Sequence, residues 1–165
     1  MKIYFQTASF VPLENKPPIS DLFETGKMLR TSKKGMVIKM IELLKSKIIN
    51  IKVMNTDLYS EGSITIYKDI MDAAGIFEYE KIFIVDMENA NRFESYVIKG
   101  EDSINPICVN GEAACLVNIG DRLSITAYEI VPDYMHSFHQ PKIVLLNENN
   151  NIKSKSSAEQ YKFNI

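Results

Sequence analysis

Cysteine, histidine and long apolar runs are scarce in this chain, and each scarcity removes a class of protein. The 165 residues include two cysteines, Cys108 and Cys115, and two histidines, His136 and His139. No zinc-type spacing links the cysteines to a histidine pair, and no acidic partner stands at metal-site spacing from the histidines. The cysteines are therefore expected as buried free thiols in a reducing cytoplasm, the histidines as surface residues, and no metal is expected. No apolar run is long enough to span a bilayer. The start, Met1-Lys2-Ile3-Tyr4-Phe5-Gln6, lacks the apolar region and cleavage site of a signal peptide, so a cytoplasmic protein is expected. The formal net charge of −2 gives no argument for nucleic acid or an anionic membrane as partner. What the chain does have is apolar residues, 45% of the total, enough for the packed core of one domain.

Residues 1–39 read as an N-terminal extension. Pro12, Pro17 and Pro18 break regular structure early, Ser20-Asp21-Leu22-Phe23-Glu24 allows one short capped helix, and Lys33-Lys34-Gly35 is a polar break. Met36 and Met40 lie just before the organised part and are alternative starts. From Met40 the pattern tightens. Leu43 to Val53 is rich in β-branched residues and reads as a strand or two. Asn55-Thr56-Asp57-Leu58 carries turn chemistry. Asp69 to Ile76 reads as a short amphipathic helix stopped by Gly75. Ile82 to Asp86 and Arg92 to Ile98 read as a hairpin around the turn Glu88-Asn89-Ala90-Asn91. Pro106 to Val109 is a short strand, Asn110-Gly111 a tight turn, and Glu112 to Val117 a helix of one or two turns. Gly120-Asp121 turns into the strand Leu123 to Tyr128, and Pro141 to Leu146 is the last strand. The Asn-, Lys- and Ser-rich residues 150–165 read as a flexible C-terminal tail. Many short strands with two brief helices predict a mainly β fold, a small closed barrel.

One stretch carries chemistry. In Glu61-Gly62-Ser63-Ile64-Thr65-Ile66 the isoleucines alternate with Ser63 and Thr65, the period of a half-buried strand. Gly62 is expected to use backbone angles closed to other residues, holding its carbonyl in an unusual orientation beside the Ser63 hydroxyl. That is what attack of Ser63 Oγ on the Gly62 carbonyl carbon needs, and intramolecular attack at close range is strongly accelerated. Taken alone, a Gly-Ser pair before a strand is usually a turn.

The remainder of the chain supplies context. Leu44-Lys45-Ser46-Lys47-Ile48, Asp57-Leu58, Glu61 to Ile66, Met71 to Ile76, Arg92 to Ile98, Val109-Asn110-Gly111 with Ala113-Ala114, and Gly120-Asp121 follow one another in a set order and spacing. In these stretches the chain resembles the pyruvoyl-dependent aspartate 1-decarboxylases, from about Leu43 to Asn149. The resemblance implies a six-stranded double-ψ β-barrel over residues 40–149, a homotetramer with active sites between neighbouring subunits, and a proenzyme that cleaves itself between Gly62 and Ser63. Ser63 then becomes the pyruvoyl group, which binds the substrate amine as a Schiff base and accepts the electrons left by CO2. The product from L-aspartate is β-alanine, the precursor for pantothenate. By the same resemblance Ser95 stands at a cleavage-assisting position, Tyr96 at that of the proton donor, and Lys47 and Arg92 at those of carboxylate-binding residues. Asn110, Gly111, Glu112, Ala113 and Ala114 form the wall around the pyruvoyl group. A maturation factor is the one further partner that such processing admits.

Several positions depart from the resemblance. Ile49 stands where histidine is usual, Asn50 where arginine is frequent, Ser60 replaces a tyrosine, Tyr67 an acidic residue, and Ala90 a turn glycine for which Asn91 is expected to supply the left-handed residue. Glu112 adds a carboxylate. It either faces the pocket, shifting its charge against a dianionic substrate, or points to solvent and caps the short helix behind it; the second is favoured because an unpaired pocket carboxylate is costly. Three readings follow: an aspartate decarboxylase, a pyruvoyl decarboxylase acting on a different amino acid, and an unprocessed double-ψ barrel that binds without catalysis.

Overall fold

A computed structural model describes residues 30–31, 37–101 and 107–157. The chain divides into two compact units, Met1–Met40 and Ile41–Ile165. In the first, β1 (Arg30–Thr31) and β2 (Val37–Ile38) pair antiparallel. The helix expected at Ser20 to Glu24 and the break at Lys33 to Gly35 lie outside the described residues.

The second unit is built on one mixed sheet. Its strands are β3 (Met40–Lys52), β4 (Asn55–Asp57), β5 (Ser63–Tyr67), β6 (Lys81–Asp86), β7 (Arg92–Gly100), β8 (Cys108–Asn110), β9 (Arg122–Pro132), β10 (Lys142–Leu146) and β11 (Ile152–Ser157). Their order across the sheet is β11-β10-β3-β9-β6-β7-β5-β8-β4. Parallel pairs (β3 with β10, β5 with β7, β4 with β8) mix with antiparallel ones (β6 with β7 and β9, β5 with β8, β10 with β11). Six strands, β3, β5, β6, β7, β9 and β10, are at least five residues long and bury side chains in the core. The mainly β expectation, a small barrel with short helices, holds.

The core explains the composition. Ile48, Ile51, Ile64, Ile66, Ile82, Ile84 and Ile125 are fully buried along these strands. Branching at Cβ restricts isoleucine rotamers and suits a pleated surface. Each such side chain stabilises the fold by roughly 1.5–3 kcal/mol. The helix α1 (Lys68–Ala74) packs Ile70, Met71 and Ala74 inward. It ends where expected. Gly75 has φ of 67°, and its N–H reaches the carbonyls of Asp72 and Met71, a left-handed cap that only glycine adopts without strain.

Four expectations are corrected. Asn55 to Asp57 is a strand, because β8 offers a parallel partner with Asn55 opposite Cys108; the turn begins one residue later, at Leu58. Ile152–Ser157, placed in a tail by composition, pairs antiparallel with β10, with Val144 opposite Lys155. In the β6–β7 connection Ala90 itself is left-handed, with φ of 64°, and Asn91 is not. Only one cysteine is buried: Cys108 lies in the core side of β8, whereas Cys115 is exposed. Burial pushes the Cys108 thiol above its usual range, and the nearby Asp57 carboxylate adds to that.

Candidate active site

β5 opens on Ser63, and its neighbours decide what that serine meets. β8 runs antiparallel beside it with Asn110 directly opposite Ser63 and Cys108 opposite Thr65. Cross-strand partners on one face lie close enough for side chains to bond. Asn110 Nδ2 donates to Ser63 Oγ at 2.9 Å and to Thr65 Oγ1 at 3.3 Å. Ser63 is 4% exposed, and its hydroxyl donates to the Glu61 carbonyl at 3.3 Å. A buried serine is thus fixed by one amide donor and one backbone acceptor. Thr65 escapes the sequence reading, although its place two residues after Ser63 puts it on the same strand face.

The glycines change roles relative to expectation. Gly62 is not among the residues with left-handed φ, whereas Gly111 is, at 67°. A Cβ on Gly111 would stand 2.6 Å from Gly62 Cα, 2.7 Å from Gly62 N and 3.0 Å from the Ser60 carbonyl oxygen. Gly111 therefore packs its bare Cα onto the backbone just before Ser63. At Gly62 the missing side chain leaves room for a different group. A Cβ there would stand 3.1 Å from Glu112 Oε2 and 3.2 Å from Oε1, close enough that the exposed Glu112 side chain would have to give by a few tenths of an ångström. The unusual backbone belongs to Gly111, and Gly62 provides room.

Glu112 follows from this. Asn110 is the last residue of β8, and a 3-10 helix, Gly111–Leu116, starts at the left-handed turn. That turn lays the Glu112 carboxylate beside Gly62 at the cavity, and Glu112 also stays exposed to solvent. The cap position is held by Asn110, without a side-chain cap bond.

A cavity of about 280 Å³ lies over this junction, lined by Gly62, Phe93, Glu94, Ser95, Tyr96, Glu112, Ala113 and Leu116. β7 supplies Ser95 and Tyr96 because it runs parallel to β5 with Val97 opposite Ile64. Gly62, Ser63, Ser95, Tyr96, Asn110, Gly111, Glu112 and Ala113 are therefore gathered at one place. Phe93 and Leu116 were not singled out from sequence; Phe93 lies inside the matched Arg92 to Ile98 stretch. Lys47 does not line the cavity: it sits on β3 opposite Ile143. Arg92 is exposed at the start of β7, opposite Val85. Ala114 is half-buried outside the cavity wall.

Residues 39–153 match the model of the aspartate decarboxylase family. The chain belongs to that family. Among curated aspartate 1-decarboxylases, the protein of Caldicellulosiruptor saccharolyticus is 46% identical over 122 residues, 74% of this chain and 95% of its own. That of Acetivibrio thermocellus is 46% identical, covering 73% of this chain and 96% of its own. That of Clostridium novyi is 43% identical over 73% and 98% respectively. For an aspartate decarboxylase family member, the geometry around Gly62–Ser63 is therefore set by the opposing Asn110-Gly111 turn rather than by a left-handed Gly62.

The histidines stand apart from the site. His136 Nδ1 lies 2.7 Å from the Asp133 carbonyl, and His139 Nε2 lies 2.6 Å from the Leu44 carbonyl. Among the described residues no group of three or more His, Cys, Asp or Glu side chains is arranged to hold a metal ion. Among the same residues no helix is long and apolar enough to cross a membrane.

Proposed function

We propose that this chain is a self-processing, pyruvoyl-dependent decarboxylase that converts L-aspartate to β-alanine and CO2. The observation that carries the reading is the Ser63–Asn110 pair. A buried hydroxyl is oriented at 2.9 Å by an amide, on the strand end where the bare Cα of Gly111 packs on the Gly62 backbone. Its relatives at 41–46% identity carry the name aspartate 1-decarboxylase, which supports the substrate.

In this reading Ser63 Oγ attacks the Gly62 carbonyl carbon, and the amide becomes an ester before the chain parts. Asn110 holds Oγ in line, and the fixed geometry removes most of the entropy cost of the attack. The Ser63 side is held by Asn110 Nδ2 at 2.9 Å, a donor able to hold an oxygen of a group made from Ser63. That pyruvoyl group supplies a carbonyl electron sink for the electrons that CO2 leaves behind. Tyr96, whose side chain lines the cavity, then delivers its phenolic proton to the carbon that lost CO2. Ser95 contributes its hydroxyl during cleavage, and Ala113 and Glu112 close the cavity wall beside Asn110 and Gly111; Ala114 stands just outside it. Lys47 and Arg92 bind substrate carboxylates from a neighbouring subunit of a homotetramer. Contact of Arg92 with the carboxylate that departs would favour the ground state, so it serves the other one. Residues 40–149 form the decarboxylase domain of a cytoplasmic enzyme, with residues 1–39 an extension.

The test is an intact-mass spectrum under denaturing conditions, beside Ser63→Ala. Two chains parting at Gly62/Ser63, absent in the variant, support the reading; one uncleaved chain, with and without added cell extract from the source organism, would favour a barrel that binds without catalysis. Glu112 at the cavity favours a second substrate reading, an amino acid with less negative charge than aspartate. Decarboxylation of an amino-acid panel separates the two.

A further inference from the structure

Asn110 orients the Ser63 hydroxyl, yet the proton of that hydroxyl goes to the Glu61 carbonyl, which is no base at neutral pH. Attack on an amide needs a group that takes the proton and later returns it to the departing nitrogen. Two carboxylates line the cavity over the junction, Glu94 and Glu112. Glu94 is engaged by Lys81 at 2.7 Å. Glu112 makes no hydrogen bond or ion pair among the described residues. Its two oxygens lie 3.1 and 3.2 Å from the point where a Gly62 Cβ would stand, against the residue whose carbonyl is attacked.

We propose that Glu112 is the proton acceptor of the Gly62–Ser63 acyl shift, a catalytic residue of maturation. The proposal rests on the self-processing reading above. The Ser63 Oγ–H proton passes to the Glu112 carboxylate as Oγ bonds to the Gly62 carbonyl carbon. The carbonyl electron pair moves to oxygen and then returns, breaking the bond from the Gly62 carbon to the Ser63 nitrogen. The nitrogen takes the proton back from Glu112. The products are an ester and a free amine, with no atom gained or lost and the carboxylate regenerated. Gly62 has no side chain to keep the carboxylate away, and the left-handed Gly111 aims it there. Glu112 is exposed, and among the described residues no partner holds its head group, so its side chain is free to turn beside Gly62.

The experiment follows cleavage of freshly translated full-length chain by denaturing mass spectrometry, so that its readout is chain scission and not decarboxylation. Glu112→Gln and Glu112→Ala are expected to cleave on the order of 10²-fold more slowly than the parent. Glu112→Asp keeps a partial rate. Added formate accelerates the Ala variant, whose cavity admits it, by about tenfold or more, and leaves the Gln variant unchanged. A near-isosteric Gln variant that melts like the parent and cleaves at the parent rate overturns the proposal while leaving self-processing intact. A slow Ala variant that formate does not accelerate also overturns it, because Glu112 then acts by packing alone. A parent chain that never cleaves overturns the self-processing reading along with the proposal.

Discussion

Replacing Gly111 by alanine tests the central geometry of the site. Two terms oppose the change. The backbone at φ of 67° costs a residue with a Cβ about 1–2 kcal/mol. The Cβ would also stand 2.6 and 2.7 Å from Gly62 Cα and N. Those are backbone atoms, and shifting them adds about 1–3 kcal/mol. Gly120 separates the terms. It too is left-handed, with φ of 98°, but its Cβ position has nothing within 4 Å. Gly120→Ala therefore loses about 1–2 kcal/mol and Gly111→Ala about 2–5. In a chain of this size each kcal/mol shifts the melting temperature by about 2–4 °C. Both variants are made in uncleavable Ser63→Ala protein and melted by circular dichroism, and Gly111→Ala alone is then made with Ser63 intact and scored for cleavage. The expected order is parent, Gly120→Ala, Gly111→Ala, the last separated by several degrees and failing to cleave. Equal melting of the two alanine variants, or normal cleavage by Gly111→Ala, would falsify the claim that Gly111 packs on the junction.

Two more outcomes follow from the same structure. Asn110→Ala removes the 2.9 Å bond to Ser63 Oγ, and cleavage is expected to slow on the order of 10²-fold; an unchanged time course in the mass spectrum would show that Ser63 needs no orienting. Asp86 is fully buried, and burial, with Asp121 beside it, holds its carboxyl above the usual carboxylate range. The folded state therefore binds the Asp86 proton more tightly than the unfolded state, so this group's contribution is favourable in acid and is lost as pH rises through the raised value. Asp86→Asn keeps an acceptor for the Glu88 N–H and removes that loss. Melting measured from pH 4 to 8 is expected to show the variant gaining on the parent as pH rises, and parallel curves would refute the assignment.

Much of this was legible in the chain because local and global preferences agree. The Ile64 and Ile66 alternation predicts β5, and both residues are fully buried. Gly75 predicts the end of α1, and it caps the helix in the left-handed form. The misses share one physical origin, the neighbour that sequence does not show. Asn55 to Asp57 has turn-forming residues but becomes a strand because β8 presents unpaired backbone. Ile152 to Ser157 is polar because it pairs on one side only, at the sheet margin, where hydrophilic residues discourage further pairing. In the site, Ser63 and Gly62 were visible as a pair. The left-handed Gly111 lies 49 positions later in the chain than Gly62, and Glu112, whose carboxylate approaches Gly62, lies 50 later. Lys47 and Arg92 are legible only through family resemblance, since neither lines the cavity of one chain.

The position of β3 in the sheet has a consequence for how the molecule can be taken apart. β3 lies between β10 and β9, and β4 pairs with β8. Both precede Gly62, whereas every partner follows Ser63. If the chain is cut between Gly62 and Ser63 as proposed, the uncut precursor refolds as a single chain, with its two halves held at a high effective concentration by the connecting peptide. After scission the same interface, with Ile48, Ile51 and Val53 buried in it, joins two separate molecules. Unfolding then releases fragments that must find each other by diffusion, each exposing apolar strand. In that proposed cut form, recovery from heat is expected to depend on protein concentration, and lifetime to be set by the rate of opening.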